Sequence, residues 1–266
     1  MLTDRDELSG RIREATVDLP WLVAAWLGGS DATGRVDELS DVDLQLVVED
    51  ECVEDAFIAM EGMLERAGGV DHRWRVDEPT WHGHAQAVYR PRGAPAHLCL
   101  DLLVIRRSAE DWFVDRARHG DALVLIDRDG RLATREPGRE RLAERRQALL
   151  AHHARSLPVV METVAKSIHR GNLVEAVIGY HQRVLVPLID LVRCEHCPDR
   201  FDFGPRYLDR DLPESEQRML EELAASSGPD ELSSSFRRAR SEIMARLKRL
   251  NAMDSEGVVT SVFRER

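Results

Sequence analysis

The sequence predicts an α+β protein in which a domain of strands and helices is followed by an all-helical domain. Over the first half, short apolar runs, several of them alternating with period two, are separated by glycine, proline and polar turns. From Gly138 onward, apolar residues recur at helical spacing almost without a break. We therefore expect two domains, residues 1–135 and residues 136–266, a division that suits a chain of 266 residues.

The first domain should contain a sheet covered by helices. Residues 4–16 form a polar amphipathic pattern, and residues 51–67 carry apolar side chains near helical spacing before a Gly-Gly stop signal. A further short helix is expected over residues 108–117. A turn rich in proline and glycine at residues 91–95 should pair the fourth strand with the fifth. The strand-like runs are residues 21–27, 41–48, 70–76, 82–89, 98–105 and 123–127.

The second domain should be helical throughout. Pro158 should end one helix and begin the next, because proline is poor in a helix interior and good in a first turn. Asn172 and Glu175 have the spacing of a capping box, and Pro187 should kink the long apolar helix that follows. The expected helices are residues 139–156, 158–170, 173–193, 213–225 and 233–253.

One stretch of the first domain carries a chemical signal. The first strand breaks at Gly28-Gly29-Ser30, and Asp41 and Asp43 follow about ten residues later at the head of the second strand. Alternation along a strand puts the two carboxylates on one face, roughly 7 Å apart. Glycines let backbone N–H groups approach phosphates closely because no Cβ intervenes, and Ser30 adds a hydroxyl donor. Paired carboxylates beside a phosphate cradle suit two Mg²⁺ ions that contact both protein and substrate.

The order of these pieces resembles the signature of the DNA polymerase β-like nucleotidyltransferase superfamily. The resemblance implies a core with a mixed sheet and flanking helices, and a third carboxylate on a neighbouring strand. Asp101, inside the apolar run 97–105, is the candidate. An Asp within an apolar strand is costly unless it is paired or binds metal, which favours this role. The expected catalytic and metal-binding residues are therefore Asp41, Asp43 and Asp101.

A core of this kind followed by a helical domain resembles the bacterial small-molecule nucleotidyltransferases, including the aminoglycoside and lincosamide adenylyltransferases. The resemblance implies that a nucleoside monophosphate, AMP from ATP, is moved to a hydroxyl of a small molecule by a two-metal mechanism. The triphosphate would be held at Gly28, Gly29 and Ser30. An antibiotic of either class is the first acceptor that this resemblance suggests.

The helical domain is expected to add positive charge at the pyrophosphate, because the core site itself is acidic. Lys166 and Arg170, one helical turn apart, are candidates, and so is Arg206 in an aromatic, arginine-rich loop. Each of the three also fits an ordinary surface or salt-bridge role. Glu175 is a possible general base, although the capping box already explains it.

Composition narrows the class of partner. The formal net charge is −11, which argues against a nucleic-acid partner because such proteins need a basic surface. A small or cationic substrate fits this charge better. No apolar run approaches the ~20 residues of a membrane span, and the charged start lacks the apolar segment of a signal peptide. We therefore expect no membrane partner and a cytoplasmic location.

The four cysteines do not form a recognisable disulfide framework. Cys194 and Cys197 have the two-residue spacing of half a zinc site, but no second such pair exists in the sequence. Two cysteines at a helix end explain this spacing equally simply.

Two other functions remain open at the level of sequence. The same chemistry could act on a protein or nucleotide acceptor, or the core could bind nucleotide without transfer, as a sensor or a toxin–antitoxin component. The helix expected at residues 173–193 is apolar on most sides, which predicts a homodimer that buries helical surface. The helical domain would then serve both substrate binding and dimerisation.

Overall fold

The architecture is described from a computed structural model of the chain. It describes residues 2, 4–80, 82–109, 115–130, 132, 139–225 and 228–253. The chain forms two compact units, Met1–Pro137 and Gly138–Arg266. The domain boundary expected at residue 135 lies outside the described residues. Within those residues, no helix has the length and apolar character needed to cross a membrane.

The first unit is a mixed six-stranded sheet with flanking helices, as the sequence predicts. The strands occur in the order β3-β4-β5-β2-β1-β6 across the sheet. Only the central β2–β5 pair is parallel among these neighbours, and the other four pairs are antiparallel. The strands are β1 (Leu22–Leu27), β2 (Val42–Val48), β3 (Val70–Arg75), β4 (Ala85–Pro91), β5 (Leu100–Arg106) and β6 (Leu123–Asp127).

The helices of the first unit pack on one face of this sheet. The helices α1 (Arg5–Thr16) and α3 (Val53–Arg66) pack on the face formed by alternate apolar residues of β2, β4 and β5. Leu8 and Ile12 of α1 and Met60 of α3 are buried in this core. A second, smaller cluster around Trp26 and Val47 lies on the opposite face. The polar residues of β2, β4 and β5 therefore share that second face.

Two short helices complete the first unit. The helix α2 (Gly29–Thr33) follows β1 directly, where the sequence indicates only a loop. The helix α4 (Arg116–His119) lies at the end of the helix expected over residues 108–117, most of whose middle is outside the described residues. The strand β4 begins at Ala85, so the predicted start at residue 82 is wrong. His82 and His84 precede the strand and fold back on it.

The second unit is all-helical and has its own core. Buried apolar side chains from its long helices, among them Met161, Leu188 and Ile243, pack together. Its helices are α5 (Arg139–His169), α6 (Leu173–Tyr180), α7 (Val186–His196), α8 (Leu208–Asp211), α9 (Glu214–Ala224) and α10 (Pro229–Met253). The last helix begins at Pro229, four residues before the predicted start, because proline is well accepted in a first turn.

Pro158 does not break the helix, and the predicted division there is wrong. The helix α5 runs through it for 31 residues. A proline in a helix interior costs about 3 kcal/mol because it removes one hydrogen bond and crowds the preceding turn. The buried stripe of Ala154, Leu157, Met161 and Val164 continues on both sides of it. Burial of such a stripe contributes roughly 1.5–3 kcal/mol for each large side chain, which offsets the proline.

The long apolar helix expected at residues 173–193 is divided. A π-helical turn, His181–Leu185, separates α6 from α7, and Pro187 then lies in the first turn of α7. The predicted capping box at Asn172 does not form, since the Asn172 side chain makes no cap hydrogen bond and instead donates to Glu175 Oε2 at 3.4 Å.

Candidate active site

Two of the predicted carboxylates face each other across the centre of the sheet. Asp43 of β2 is directly opposite Asp101 of β5 in the parallel pair. Opposed residues on adjacent strands lie on the same face, with the strands about 4.8 Å apart. Asp41 comes one residue before β2 and lies close enough to act electrostatically on both Asp43 and Asp101. The fold thus brings all three predicted carboxylates to one place.

The glycine turn touches this carboxylate group. A Cβ added to Gly29 would stand 1.8 Å from Asp43 Oδ2, so the Asp43 carboxylate lies directly against the Gly29 backbone. The Gly28 N–H donates to the Asp43 carbonyl at 2.9 Å, which ties the turn to β2. Gly29 also has a φ of +52°, a conformation that favours glycine. Only glycine at this position leaves room for the carboxylate.

Ser30 adds an unsatisfied polar atom to the turn. Among the described residues, its Oγ is buried and has no hydrogen-bond partner. The same holds for Gln45 Oε1, which lies beside Gly28 two residues after Asp43 on the same strand face. Buried polar atoms are nearly always hydrogen-bonded in native proteins, so two orphaned atoms beside the carboxylates favour a ligand here.

Sequence reasoning missed Arg5 and Asp31, which fix the turn from behind. The Arg5 side chain reaches from α1, pairs with Asp31 of α2 and donates from Nε to the Asp41 carbonyl at 3.1 Å. On another side, Gly120 packs so closely that a Cβ there would stand 2.2 Å from the Ala32 carbonyl oxygen. The sequence gives no periodic or motif signal for these partners, because they meet only in the folded chain.

Several acidic side chains lie close together in the site, and their charges repel one another. Burial is the main cause that raises the pKa of Asp43 to about 7. Repulsion from Asp41, Asp101 and Asp31 raises it further, and the positive charge of Arg5 partly offsets this. An ionised Asp43 is therefore unfavourable in the protein alone, and a cation placed beside it would relieve that cost.

The pKa of Asp101 is also raised, and its carboxylate has a specific hydrogen-bond partner. Burial is the largest cause, while a hydrogen bond from Gln86 acts in the opposite direction. Gln86 Nε2 donates to Asp101 Oδ1 at 2.7 Å from the adjacent strand β4. The predicted strand pairing is confirmed here, since Gln86 and Asp101 lie on the same face of the β4–β5 pair.

The residues present suit Mg²⁺. The donor set is all oxygen, and Mg²⁺ usually combines one or two carboxylates with substrate phosphates and water. Within the described part of the chain, no three His, Cys, Asp or Glu side chains are arranged so that they could hold a metal ion by themselves. The Asp43 carboxylate lies against the Gly29 backbone, and the orphaned Ser30 Oγ beside it is a polar atom that a phosphate oxygen would satisfy. Two ions held by Asp41, Asp43 and Asp101 stay a prediction.

An exposed tryptophan continues the same face of the sheet. Directly opposed residues run from Asp43 to Asp101, then to Val88 of β4 and Trp74 of β3. The Trp74 side chain is 57% exposed, although it lies on a strand. At about 4.8 Å per strand, Trp74 lies roughly 10 Å beyond Asp101, on the side away from the glycine turn.

The basic residues predicted to assist all belong to the second unit. Lys166 lies in the last turn of α5, Arg170 follows that helix, and both are exposed. Arg206 is exposed in the loop before α8, with its guanidinium 5.7 Å from the Phe203 ring centroid. Their role at a nucleotide stays a prediction. Glu175 lies in the first turn of α6 and contacts Asn172, as described above.

The two neighbouring cysteines occupy a helix end. Cys194 is buried within α7, and Cys197 is the residue that caps it. Arg193 donates to Cys197 Sγ at 3.4 Å.

Comparison with known proteins finds a likeness to solved structures only. No protein-family profile matches the chain, and no curated protein matches it. Among solved structures, the chain is similar to an aminoglycoside 6-adenyltransferase from Bacillus subtilis, with a TM-score of 0.35 and 16% sequence identity. The match covers 94% of this chain and 91% of that chain. The chemistry of the site therefore rests on this chain's own residues.

Proposed function

We propose that the protein is a nucleotidyltransferase that moves a nucleoside monophosphate, AMP from ATP, onto a hydroxyl of a small molecule. The observation that carries this proposal is the contact between the Gly29 backbone and the Asp43 carboxylate, opposite Asp101. A phosphate that reaches the turn is at the same time beside the acids. A buried acid that packs against glycine backbone and beside further acids is energetically costly, and few roles other than this one explain such an arrangement.

The turn would bind the β- and γ-phosphates. The Gly28 N–H is already used on the Asp43 carbonyl, so Gly28 would contribute by letting the anion approach the backbone closely, while the Gly29 N–H and Ser30 Oγ would donate to it. Asp41, Asp43 and Asp101 would hold Mg²⁺. When bound, Mg²⁺ would neutralise the triphosphate and lower the pKa of the attacking hydroxyl.

The reaction balances without any further reagent. The acceptor oxygen forms a bond to the α-phosphorus as the bond from that phosphorus to the β-phosphate oxygen breaks, and pyrophosphate leaves. The hydroxyl proton passes to a carboxylate oxygen, for which Asp101 is the candidate, and then to solvent. Asp101 suits this task because it lies on the side of Asp43 that faces away from the phosphate turn.

The acceptor would therefore lie over β4 and β3. A hydroxyl at Asp101 places the rest of the molecule along the row that ends at the exposed Trp74. An indole face is a good surface for the apolar side of a sugar-like ring. The acidic site and the net charge of −11 favour a cationic acceptor. Aminoglycosides and lincosamides are the first compounds to try, with Lys166, Arg170 and Arg206 proposed to assist at the nucleotide.

Mass spectrometry of reaction mixtures tests this function. The purified protein is incubated with ATP, Mg²⁺ and a panel of both antibiotic classes, and each acceptor is examined for one added adenylyl group. We expect a gain in at least one compound and its loss in Asp43→Asn. Modification of a protein or nucleotide acceptor alone would leave the chemistry intact and refute the antibiotic acceptor. Mg²⁺-dependent ATP binding without release of pyrophosphate would favour the sensor or toxin–antitoxin alternative.

A further inference from the structure

We propose that His82 and Gln86 are positioning residues that hold Asp101 in a single orientation through a directional chain of hydrogen bonds. This inference rests on the proposed function, in which Asp101 meets the acceptor hydroxyl or the metal. It assigns a task to two side chains that no sequence motif marks.

The chain of contacts is continuous. The His84 backbone N–H donates to His82 Nδ1 at 3.2 Å, His82 Nε2 is 3.1 Å from Gln86 Oε1, and Gln86 Nε2 is 2.7 Å from Asp101 Oδ1. All three side chains are partly buried. His82 and Gln86 are four residues apart, and the backbone reaches this geometry because β4 begins only at Ala85, which lets His82 fold back over the strand.

The donor-to-acceptor direction of this series of hydrogen bonds is determined at both of its ends. At one end an ionised Asp101 can only accept, so Gln86 must turn its amide nitrogen toward it and its oxygen toward His82. The opposite amide orientation would bring two oxygen atoms to 2.7 Å. At the other end a backbone N–H points at His82 Nδ1, which must then be unprotonated. Both ends therefore require the proton on Nε2 of a neutral His82.

The other neutral tautomer of His82, with its proton on Nδ1, conflicts with the same two hydrogen bonds. Thr80 Oγ1 lies 3.2 Å from His82 Nδ1 and could accept a proton from it. That tautomer would set the Nδ1 proton against the His84 N–H and would reverse the Gln86 amide. Thr80 donates its hydroxyl proton to the His84 carbonyl at 2.6 Å and so does not donate to Nδ1, which leaves the His84 N–H as the donor to that nitrogen.

The consequence for Asp101 is that its two oxygens have different tasks. Oδ1 is committed to Gln86, and the carboxylate plane is set by that bond. Oδ2 is then the atom available for a metal or a hydroxyl proton. Hydrogen-bond partners of this outer kind orient a carboxylate ligand, and their loss typically costs about 10- to 100-fold in metal affinity or activity.

Nitrogen NMR tests the chain without any reaction. Protein labelled with ¹⁵N-histidine reports which ring nitrogen of His82 carries the proton, with the signal assigned by its loss in His82→Phe. We expect the Nε2–H form in the wild type and a changed His82 signal in Gln86→Leu. An Nδ1–H form, or a His82 signal that is indifferent to Gln86→Leu, would overturn the proposal even if the protein proves to be inactive.

Kinetics separate positioning from a merely structural role. In His82→Gln the amide nitrogen lies near the former Nε2 and can still donate, whereas His82→Asn keeps a group only near Nδ1. We expect kcat to fall about 10- to 100-fold in His82→Asn and Gln86→Leu, with KM for ATP little changed and His82→Gln close to wild type. His72→Phe, on the same sheet face but outside the chain of contacts, is the matched control.

The outcomes are distinct. Equal loss in His82→Gln and His82→Asn would mean that His82 acts through the turn and not through Gln86, which refutes the proposal. If the wild type transfers no nucleotide to any acceptor, the proposed function fails and the tautomer measurement alone decides the hydrogen-bond chain.

Discussion

Gly29 has a structural role through its positive φ and a role in the candidate site through its contact with Asp43, and its replacement should separate the two effects. In Gly29→Ala the new Cβ would collide with Asp43 Oδ2, at 1.8 Å, so the carboxylate must move. We expect activity to fall at least about a hundredfold, the scale on which a lost catalytic contact is felt. Steady-state rates of pyrophosphate release measure this.

Gly34→Ala supplies a close control for that change. Gly34 also has a positive φ, +65°, but a Cβ there meets nothing within 4 Å. Both variants should lose a similar stability, about 1–2 kcal/mol from the left-handed backbone alone. Equal activity in the two variants would contradict the importance of the Gly29–Asp43 contact.

Trp74 is the residue that should report on the acceptor. If the acceptor lies along β4 and β3, Trp74→Ala should raise KM for the acceptor and leave KM for ATP nearly unchanged, since the phosphates lie on the other side of Asp43. Loss of one stacked ring corresponds to about 0.5–1.5 kcal/mol, and Trp74→Phe should restore part of it. A selective effect on KM for ATP would place the nucleotide on this surface instead.

The acidic residues of the site could be predicted from the sequence, whereas the residues that orient them could not. Asp41, Asp43 and the glycine turn form a local pattern, and Asp101 stands out as a charge within an apolar strand. Gln86 and Arg5 carry no such local signal. They matter only because β4 lies beside β5 and because α1 begins near α2, and single-sequence patterns do not contain those placements.

At the level of elements, the prediction failed where packing outweighs local preference. Pro158 looked like a helix break from its own chemistry, but the buried stripe on both sides keeps α5 intact. The pairing of β4 with β5 could be predicted from the turn at residues 91–95, and the all-helical second half from the periodicity of its own residues. The π-helical turn before α7 could not, since nothing in residues 181–185 differs from an ordinary helical sequence.

The loop before α8 depends on one buried arginine. Arg193 is fully buried and donates to the carbonyls of Gly204, Arg200 and Arg206 and to Asp211 Oδ2 at 3.0 Å. Asp211→Asn would leave this guanidinium without its charged partner. We expect the free energy of unfolding to fall by about 3 kcal/mol, as when one partner of a buried ion pair is removed. Urea denaturation measures this, and exposed Asp209→Asn is the control.

The same ion pair predicts a pH dependence. Burial raises the pKa of Asp211, but hydrogen bonds from Arg210 and Arg193 and the charge of Arg200 outweigh it, so the folded pKa lies below the usual 3.8. The stability is therefore present above about pH 4 and is lost as the pH falls through the folded pKa. The Asp211→Asn variant should lack this part of the acid transition. Identical acid transitions in the wild type and in Asp211→Asn would exclude this contribution of Asp211 to the pH dependence.

At the scale of the whole molecule, exposed apolar residues on the second unit predict a homodimer. Leu173, Val174, Ile178 and Val186 are exposed along α6 and the start of α7. Burying them against a second copy would remove an apolar surface that monomers rarely leave open. Light scattering at micromolar concentration should give about twice the chain mass of 30.2 kDa.

A paired substitution tests whether that surface is responsible. Val174→Asp should shift the protein toward monomer, whereas Ile58→Asp, at an equally exposed position on α3 of the first unit, should not. A wild-type mass of one chain would refute the dimer.

The central claim is that Asp43 serves substrate chemistry at the cost of stability, and Asp43→Asn tests it most directly. Because the folded pKa of Asp43 is raised to about 7, its contribution to stability is present below the unfolded pKa and lost as the pH rises through 7. At pH 8 without metal, the ionised carboxylate therefore destabilises the fold. Asparagine removes that charge.

The measurement pairs pyrophosphate release with metal-free thermal unfolding at pH 8, for Asp43→Asn and for Asp71→Asn, an exposed acid on β3. We predict that Asp43→Asn loses release by at least about a hundredfold while its melting temperature holds or rises, and that Asp71→Asn keeps its activity. Near-normal pyrophosphate release in Asp43→Asn, or a loss of activity that follows a fall in melting temperature, would contradict the claim.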